Sequence, residues 1–240
     1  MRLLWVILSA FWSRLPVALK SVVWRSNSLS RVKTGFVGWV ERHLAFDDIY
    51  GEKFYVGHGS GASARSYRVM AKSILRIFRP RTVLDVGCGF GELLAEFAAS
   101  GARTLGLEYA EAAIRRCREK GIDVRKCDLT SNEGPPFDER FDLVVSMEVA
   151  EHLPATCADR YLDLLCRSGD TIVFTAAVPG QGGRKHVNEQ PHQYWIEKFQ
   201  CRGFRFLEAL SMTLREEWRN ERILAWYHEN LMCFQRPDSQ

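Results

Sequence analysis

The chain has 240 residues, 46% of them hydrophobic and 26% charged, with 18 Gly and 8 Pro. That is enough apolar material for one sizeable core, and it excludes collagen-like, low-complexity and wholly disordered chains. The net charge of +4 is uneven: residues 1–40 carry six basic side chains and no acidic one, while the remainder carries 27 basic and 29 acidic, so the broad footprint of a nucleic-acid binder is not expected.

Residues 1–25 place Leu3, Leu4, Ile7, Leu8, Phe11, Trp12, Leu15, Leu19, Val22 and Val23 at helical spacing, with Pro16 set to kink the helix. A basic amphipathic helix with Trp and Phe on its apolar side suits peripheral contact at the inner membrane surface, or a lid packed on the domain that follows. Both readings stand, and the expected division is an N-terminal helical segment over 1–55 and an α/β domain over 56–240. No apolar run reaches the roughly 18 residues of a membrane span, and no small-residue cleavage pattern marks a secretory leader. Residues 26–34 read as a polar linker and 57–64 as a Gly/Ser loop ahead of a helix. The seven cysteines form no C-x-x-C pair, which fits a reducing, cytoplasmic home.

From residue 80 the chain alternates strictly. Thr82–Val86, Thr104–Leu107, Val124–Cys127, Phe141–Ser146 and Thr171–Ala176 read as buried strands. Glu92–Ala99, Glu111–Lys120 and Ala158–Cys166 read as the helices between them, with Gly101 and Gly121 as stops. Such alternation predicts a parallel sheet covered on both faces. In the tail, Phe204–Leu210 is expected as a strand, Leu214–Tyr227 as a helix and Leu231–Gln235 as a closing strand. Trp218, Trp226 and Tyr227 are expected in the core.

The most informative stretch runs from Val83 to Gly91. A strand delivers Asp85, and Gly87, Gly89 and Gly91 then turn the chain into a helix, a bend where a ligand can approach bare backbone. The dinucleotide fingerprint G-x-G-x-x-G requires glycine at position 92, which is Glu92. The observed D-x-G-x-G-x-G resembles instead the first motif of class I S-adenosylmethionine-dependent methyltransferases. That resemblance implies a Rossmann-like, doubly wound, mostly parallel seven-stranded sheet with an antiparallel last strand. It implies that Asp85, Gly87, Cys88, Gly89 and Gly91 hold the methionine part of the cofactor, and Glu108 the ribose hydroxyls. By the same resemblance Tyr109 packs on the adenine, Asp128 and Leu129 read the adenine edge, and Met147 faces the methyl donor. A non-catalytic binding domain would need a broken motif, and nothing in this one is broken.

The string Met147-Glu148-Val149-Ala150-Glu151-His152-Leu153 follows the fourth strand. On one helical turn Glu148, Glu151 and His152 would share a face, with His as the usual base near neutral pH. The string resembles two branches of the family. One is the ubiquinone-biosynthesis O-methyltransferases and their relatives acting on sugars, lipids and secondary metabolites. The other is the small-RNA 2′-O-methyltransferases, which hold a divalent metal with E-x-x-E-H and a later His. Here His186 and His192 follow, so Glu148, Glu151, His152 and His192 would be the ligands of such an ion, magnesium or manganese first. The metal-free version is preferred, with His152, Glu151 and His192 as the catalytic set and a small-molecule, sugar or lipid-linked hydroxyl as acceptor. RNA with a metal, or a small amine, is the alternative; the near-neutral body counts against RNA. The loop 178–196 is expected to line the acceptor site with His186, Asn188, Glu189, His192, Tyr194 and Trp195.

Overall fold

A computed structural model of the chain describes residues 62–237 except 132, 133, 135 and 184. The expected N-terminal segment, its boundary at residue 55 and its membrane or lid role lie outside the described residues. Helix α1 (Ala62–Phe78) begins inside the stretch expected as a Gly/Ser loop. Its apolar face buries Met70, Ala71 and Ile74, while Arg65, Arg68, Lys72 and Arg76 stay exposed.

The strands follow as β1 (Thr82–Val86), β2 (Arg103–Glu108), β3 (Val124–Lys126), β4 (Leu143–Met147), β5 (Thr171–Thr175), β6 (Arg205–Phe206) and β7 (Met232–Gln235). The first five are separated by α2 (Glu92–Ala99), α3 (Glu111–Glu119) and α4 (Ala158–Ser168); α5 (His192–Gln200), α6 (Glu208–Asn220) and α7 (Ala225–Asn230) complete the chain. The sheet order is β3-β2-β1-β4-β5-β7-β6. Neighbours from β3 through β5 are parallel, and β7 runs antiparallel to both β5 and β6, with Met232 opposite Phe174. This is the doubly wound, mostly parallel architecture with an antiparallel last strand that the motif implied.

Strand β5 is buried along its whole length, as a central strand covered on both faces must be. One face packs α4 and α5 through Tyr161, Leu165, Trp195 and Phe199. The other packs α1, α2, α6 and α7 through Ile74, Phe97, Trp218 and Tyr227. Trp218 is fully buried and donates from Nε1 to Ser73 Oγ at 2.7 Å, whereas Trp226, expected in the core, is 41% exposed. The Asp142 carboxylate accepts from the Arg81 and Thr82 amides, and Thr82 Oγ1 accepts from the Asp142 amide, fixing the register of β1 against β4.

The tail departs from expectation. Only Arg205–Phe206 is strand, because α6 starts at Glu208 and turns Ser211, Leu214 and Trp218 inward. The single helix expected over 214–227 is two, broken where Arg222 takes a left-handed conformation with φ 54°.

Candidate active site

The parallel strands end at one edge of the sheet, and the loops there build the site. After β1 the chain passes through Gly87 (φ 80°), Gly89 (φ 54°) and Gly91 (φ 73°), a run of left-handed turns open to glycine. The Gly87 and Cys88 amides both donate to the Leu107 carbonyl, which seats the bend on β2. A Cβ on Gly87 would lie 2.5 Å from a Val149 methyl, so the bend also rests on the turn after β4.

Glu108 closes this cradle from β2. Its Oε2 accepts from the Gly89 amide at 2.9 Å, and its Oε1 accepts from the Tyr109 and Ala110 amides at 2.8 Å each. The carboxylate expected for ribose hydroxyls is thus also the clasp between the glycine bend and the start of α3. Asp85 is buried, and burial first, then the charges of Glu108 and Glu92, push its carboxyl up to about 8. Asp128 accepts at Oδ1 from the Thr130 amide (2.8 Å) and hydroxyl (2.6 Å), holding the turn after β3. Tyr109 lies under Lys126, whose Nζ is 5.4 Å from its ring centre. Met147 ends β4, with Thr175 Oγ1 at 3.9 Å from its sulfur.

Beyond Met147 the backbone does not continue as an α-helix. Glu148 takes φ 55°, a conformation that side chains other than glycine seldom adopt, and Ala150–His152 form one 3₁₀ turn. The Glu148 amide donates to Thr175 Oγ1 at 2.8 Å. Its carboxylate accepts from Asn230 Nδ2 at 3.0 and 3.3 Å and from Gln181 Nε2 at 3.2 Å. Glu151 is fully buried, and neither of its carboxylate oxygens has a hydrogen-bond partner. Burial, followed by the charge of Glu148, pushes Glu151 well above the ordinary carboxylate range.

The loop after β5 straps this turn down: the Val187 and Asn188 amides donate to the Glu151 carbonyl at 2.8 and 3.1 Å. It carries His186, whose ring meets that of His152 edge-on with centres 5.0 Å apart. His152 donates from Nδ1 to the Lys185 carbonyl at 3.3 Å, and His186 from Nδ1 to Glu189 Oε1 at 2.8 Å. Glu189 is itself fixed by the Gly180 and Gly182 amides. Burial, then the neighbouring His186, draws His152 down to about 4, so it is neutral near pH 7. One donor atom from each of Glu151, His152 and His186 lies within 4.8 Å of the others.

The sequence-derived metal set therefore needs correction. His186, not His192, joins Glu151 and His152, because the loop after β5 folds back over the turn, whereas His192 starts α5. Glu148 is held by Asn230 and Gln181 and stands outside that triad. His192 is half-buried, and its Nδ1 accepts from Arg215 Nη2 at 3.3 Å. Trp195 is fully buried in the core, so it lines no acceptor site. Sequence reasoning missed Asn230, Arg215, Gln181 and Thr175, which belong to no motif. The role of Glu189 was legible in part, as an acid beyond the glycines of the same loop.

Residues 83–169 match the family described as methyltransferase domain. Among curated proteins, a ubiquinone biosynthesis O-methyltransferase of Alkalilimnicola ehrlichii is 38% identical over 145 residues, covering 58% of this chain and 53% of that protein. One from a Methylobacterium strain is 42% identical over 76 residues, covering 30% of each. The chain spans about half or less of these relatives. Among solved structures, a SAM-dependent methyltransferase from Archaeoglobus fulgidus superposes with TM-score 0.54 at 20% identity, over 75% of this chain and 96% of that one. The magnesium protoporphyrin IX methyltransferase of Synechocystis, solved with bound SAH, gives TM-score 0.55 at 16% identity over 67% and 86%. At these identities the structures report the fold.

Proposed function

We propose that this chain, whose residues 83–169 match a methyltransferase domain, is an S-adenosylmethionine-dependent methyltransferase that acts on a hydroxyl of a small-molecule acceptor. The observation that carries the reading is the cluster of buried Glu151 with half-buried His152 and His186, set beside Glu148 on the turn whose Val149 touches the glycine bend. The cofactor supplies a methyl group on a sulfonium, so the protein has to align an oxygen with that methyl and dispose of one proton.

The cradle suits that cofactor. Gly87, Cys88, Gly89 and Gly91 offer backbone without side chains in the way, and Asp85 lies beneath them. Glu108 presents a carboxylate fixed by three backbone amides, Asp128 and Leu129 flank the turn after β3, and Tyr109 offers a ring. On the acceptor side, His152 keeps its proton on Nδ1 against the Lys185 carbonyl, which makes Nε2 the basic ring nitrogen for the hydroxyl proton. Glu148, aimed by Asn230 and Gln181, is placed to accept a hydrogen bond from the acceptor.

A second reading adds a divalent ion held by Glu151, His152 and His186. The two unpartnered, buried oxygens of Glu151 favour it, since a buried carboxylate otherwise requires hydrogen bonds. Both imidazoles are oriented through Nδ1 by an oxygen acceptor, the arrangement that commonly supports metal-ligating histidines. Two imidazoles and one carboxylate suit an ion of the zinc or manganese kind. Such an ion would supply Lewis acidity, lowering the pKa of an acceptor hydroxyl.

The test is incubation with methyl-labelled S-adenosylmethionine and fractionated cell extract, with and without chelator. Label entering small-molecule fractions as a base-stable ether supports O-methylation, label in RNA or on an amine redirects the acceptor, and no transfer to any fraction refutes the reading. Chelator sensitivity separates the two versions. We further propose, from the pattern of residues 1–25 alone, contact with an anionic membrane surface. Deleting residues 1–30 should release the protein from anionic liposomes and leave cofactor affinity intact; full-length protein that ignores such liposomes would overturn this.

A further inference from the structure

We infer that Asn230 is a positioning residue for Glu148, and that its orientation is set by His192 and Arg215 through a buried chain of directed polar contacts. The inference rests on the proposal that Glu148 serves the acceptor site.

The direction of each link follows from chemistry. A guanidinium has only donors, so the contact between Arg215 Nη2 and His192 Nδ1 at 3.3 Å makes Nδ1 the acceptor. A neutral ring must then carry its proton on Nε2. His192 Nε2 and Asn230 Oδ1 are both buried, neither makes a hydrogen bond of good geometry, and the two side chains lie close enough to influence each other. One is a donor and the other an acceptor. Asn230 Oδ1 thus faces His192, and the amide nitrogen is turned the other way. There Nδ2 donates to Glu148 at 3.0 Å and to Gln181 Oε1 at 2.9 Å, while Gln181 Nε2 donates back to Glu148. A flipped amide would set an oxygen against the Glu148 carboxylate and a donor against the His192 N–H.

Two further facts make this a positioning device. Arg215 also donates from Nε to the Leu231 carbonyl at 2.8 Å, so one side chain holds both His192 and the residue after Asn230. At the receiving end Glu148 has φ 55°, and such backbones persist only where surroundings over-determine them. Thr175 grips its amide and Asn230 with Gln181 its carboxylate. His192, Arg215 and Asn230 lie on α5, α6 and α7, all outside the 83–169 match. The C-terminal third thus sets the aim of a side chain supplied by the segment that matches the methyltransferase domain.

The experiment uses the full-length chain labelled with 15N-histidine, reading ring tautomers by long-range 1H–15N correlation, with His192 assigned by its loss in His192→Asn. Wild type should show His192 protonated on Nε2. Arg215→Met should abolish that preference and Arg215→Lys preserve it, with thermal midpoints recorded for each. Asn230→Leu should keep the His192 tautomer yet lower kcat for methyl transfer about tenfold, with KM for S-adenosylmethionine unchanged. Proton on Nδ1 in the wild type, a measurement needing no variant, overturns the inference, as does an unchanged tautomer in folded Arg215→Met. A kcat for folded Asn230→Leu equal to wild type overturns the positioning role. Should the tautomers behave as expected while wild type transfers methyl to no acceptor, the chain of polar contacts stands and the proposed function fails.

Discussion

Replacing Gly87 by alanine tests how tightly the cofactor bend is coupled to the acceptor turn. Two costs add. Gly87 has φ 80°, and a Cβ there costs roughly 1–2 kcal/mol. The new methyl would also lie 2.5 and 3.0 Å from the two Val149 methyls, an overpacking worth about 1–3 kcal/mol. Folding stability should therefore fall by about 2–5 kcal/mol, read as a lower urea midpoint at unchanged m-value. Val149→Ala removes both offending methyls and leaves its own Cβ at 3.4 Å from the new one, an ordinary contact. The double variant should recover the clash but not the backbone cost, giving a coupling energy of about 1–3 kcal/mol in a double-mutant cycle. Titration with S-adenosylhomocysteine should follow the same order, weakest for Gly87→Ala and partly restored in the double variant. Purely additive effects, or a Gly87→Ala protein within about 0.5 kcal/mol of wild type, would refute the view that bend and turn are in contact.

Three other outcomes are expected. Glu108→Ala strips an acceptor from three backbone amides and should cost roughly 2–4 kcal/mol, with more than a tenfold loss of S-adenosylhomocysteine affinity; Glu108→Gln should fall between, and equal values for both would argue against the clasp. Asp85, raised from 3.8 to about 8, keeps in the folded protein a proton that the unfolded chain gives up across that window, so it penalises folding increasingly as pH rises from about 4 to 8. Asp85→Asn should thus raise the thermal midpoint of the ligand-free protein more at pH 8 than at pH 4.5, and a uniform shift would contradict the assignment. On the second, metal-held reading, manganese or zinc at a hundredfold excess over Kd should stabilise the wild type by about 2.7 kcal/mol and Glu151→Gln far less, checked by thermal melts reversed with chelator; equal shifts would rule the triad out.

The sheet was legible because its strands are apolar runs bounded by turn residues. β1 lies where Thr82–Val86 was read, and β2, β4 and β5 are within two residues of expectation. The glycine bend was legible for the same reason: left-handed backbone at 87, 89 and 91 leaves its mark as glycine. Where the chain takes such a conformation without glycine, as at Arg222 and Glu148, nothing marks it, and both the break between α6 and α7 and the turn at Glu148 went unread. The metal-like triad was half-visible. E-x-x-E-H pointed to Glu151 and His152, but the choice between His186 and His192 depends on how the loop after β5 folds back, which is tertiary. Asn230 and Arg215 carry no local signature; only the finished sheet brings Asn230 to Glu148 and Arg215 to His192.

That delivery follows from the direction of one strand. A strand running against its neighbours starts at the rim where they finish, so β7, with Met232 opposite Phe174, places the residues just before it level with the tips of β4 and β5. Had β7 run the same way as β5, Asn230 would have emerged at the far rim, on the order of 15 Å from Glu148 across a five-residue strand. Reversing a single strand therefore lets a late part of the polypeptide reach the working end of a scaffold completed some 55 residues earlier, at β5.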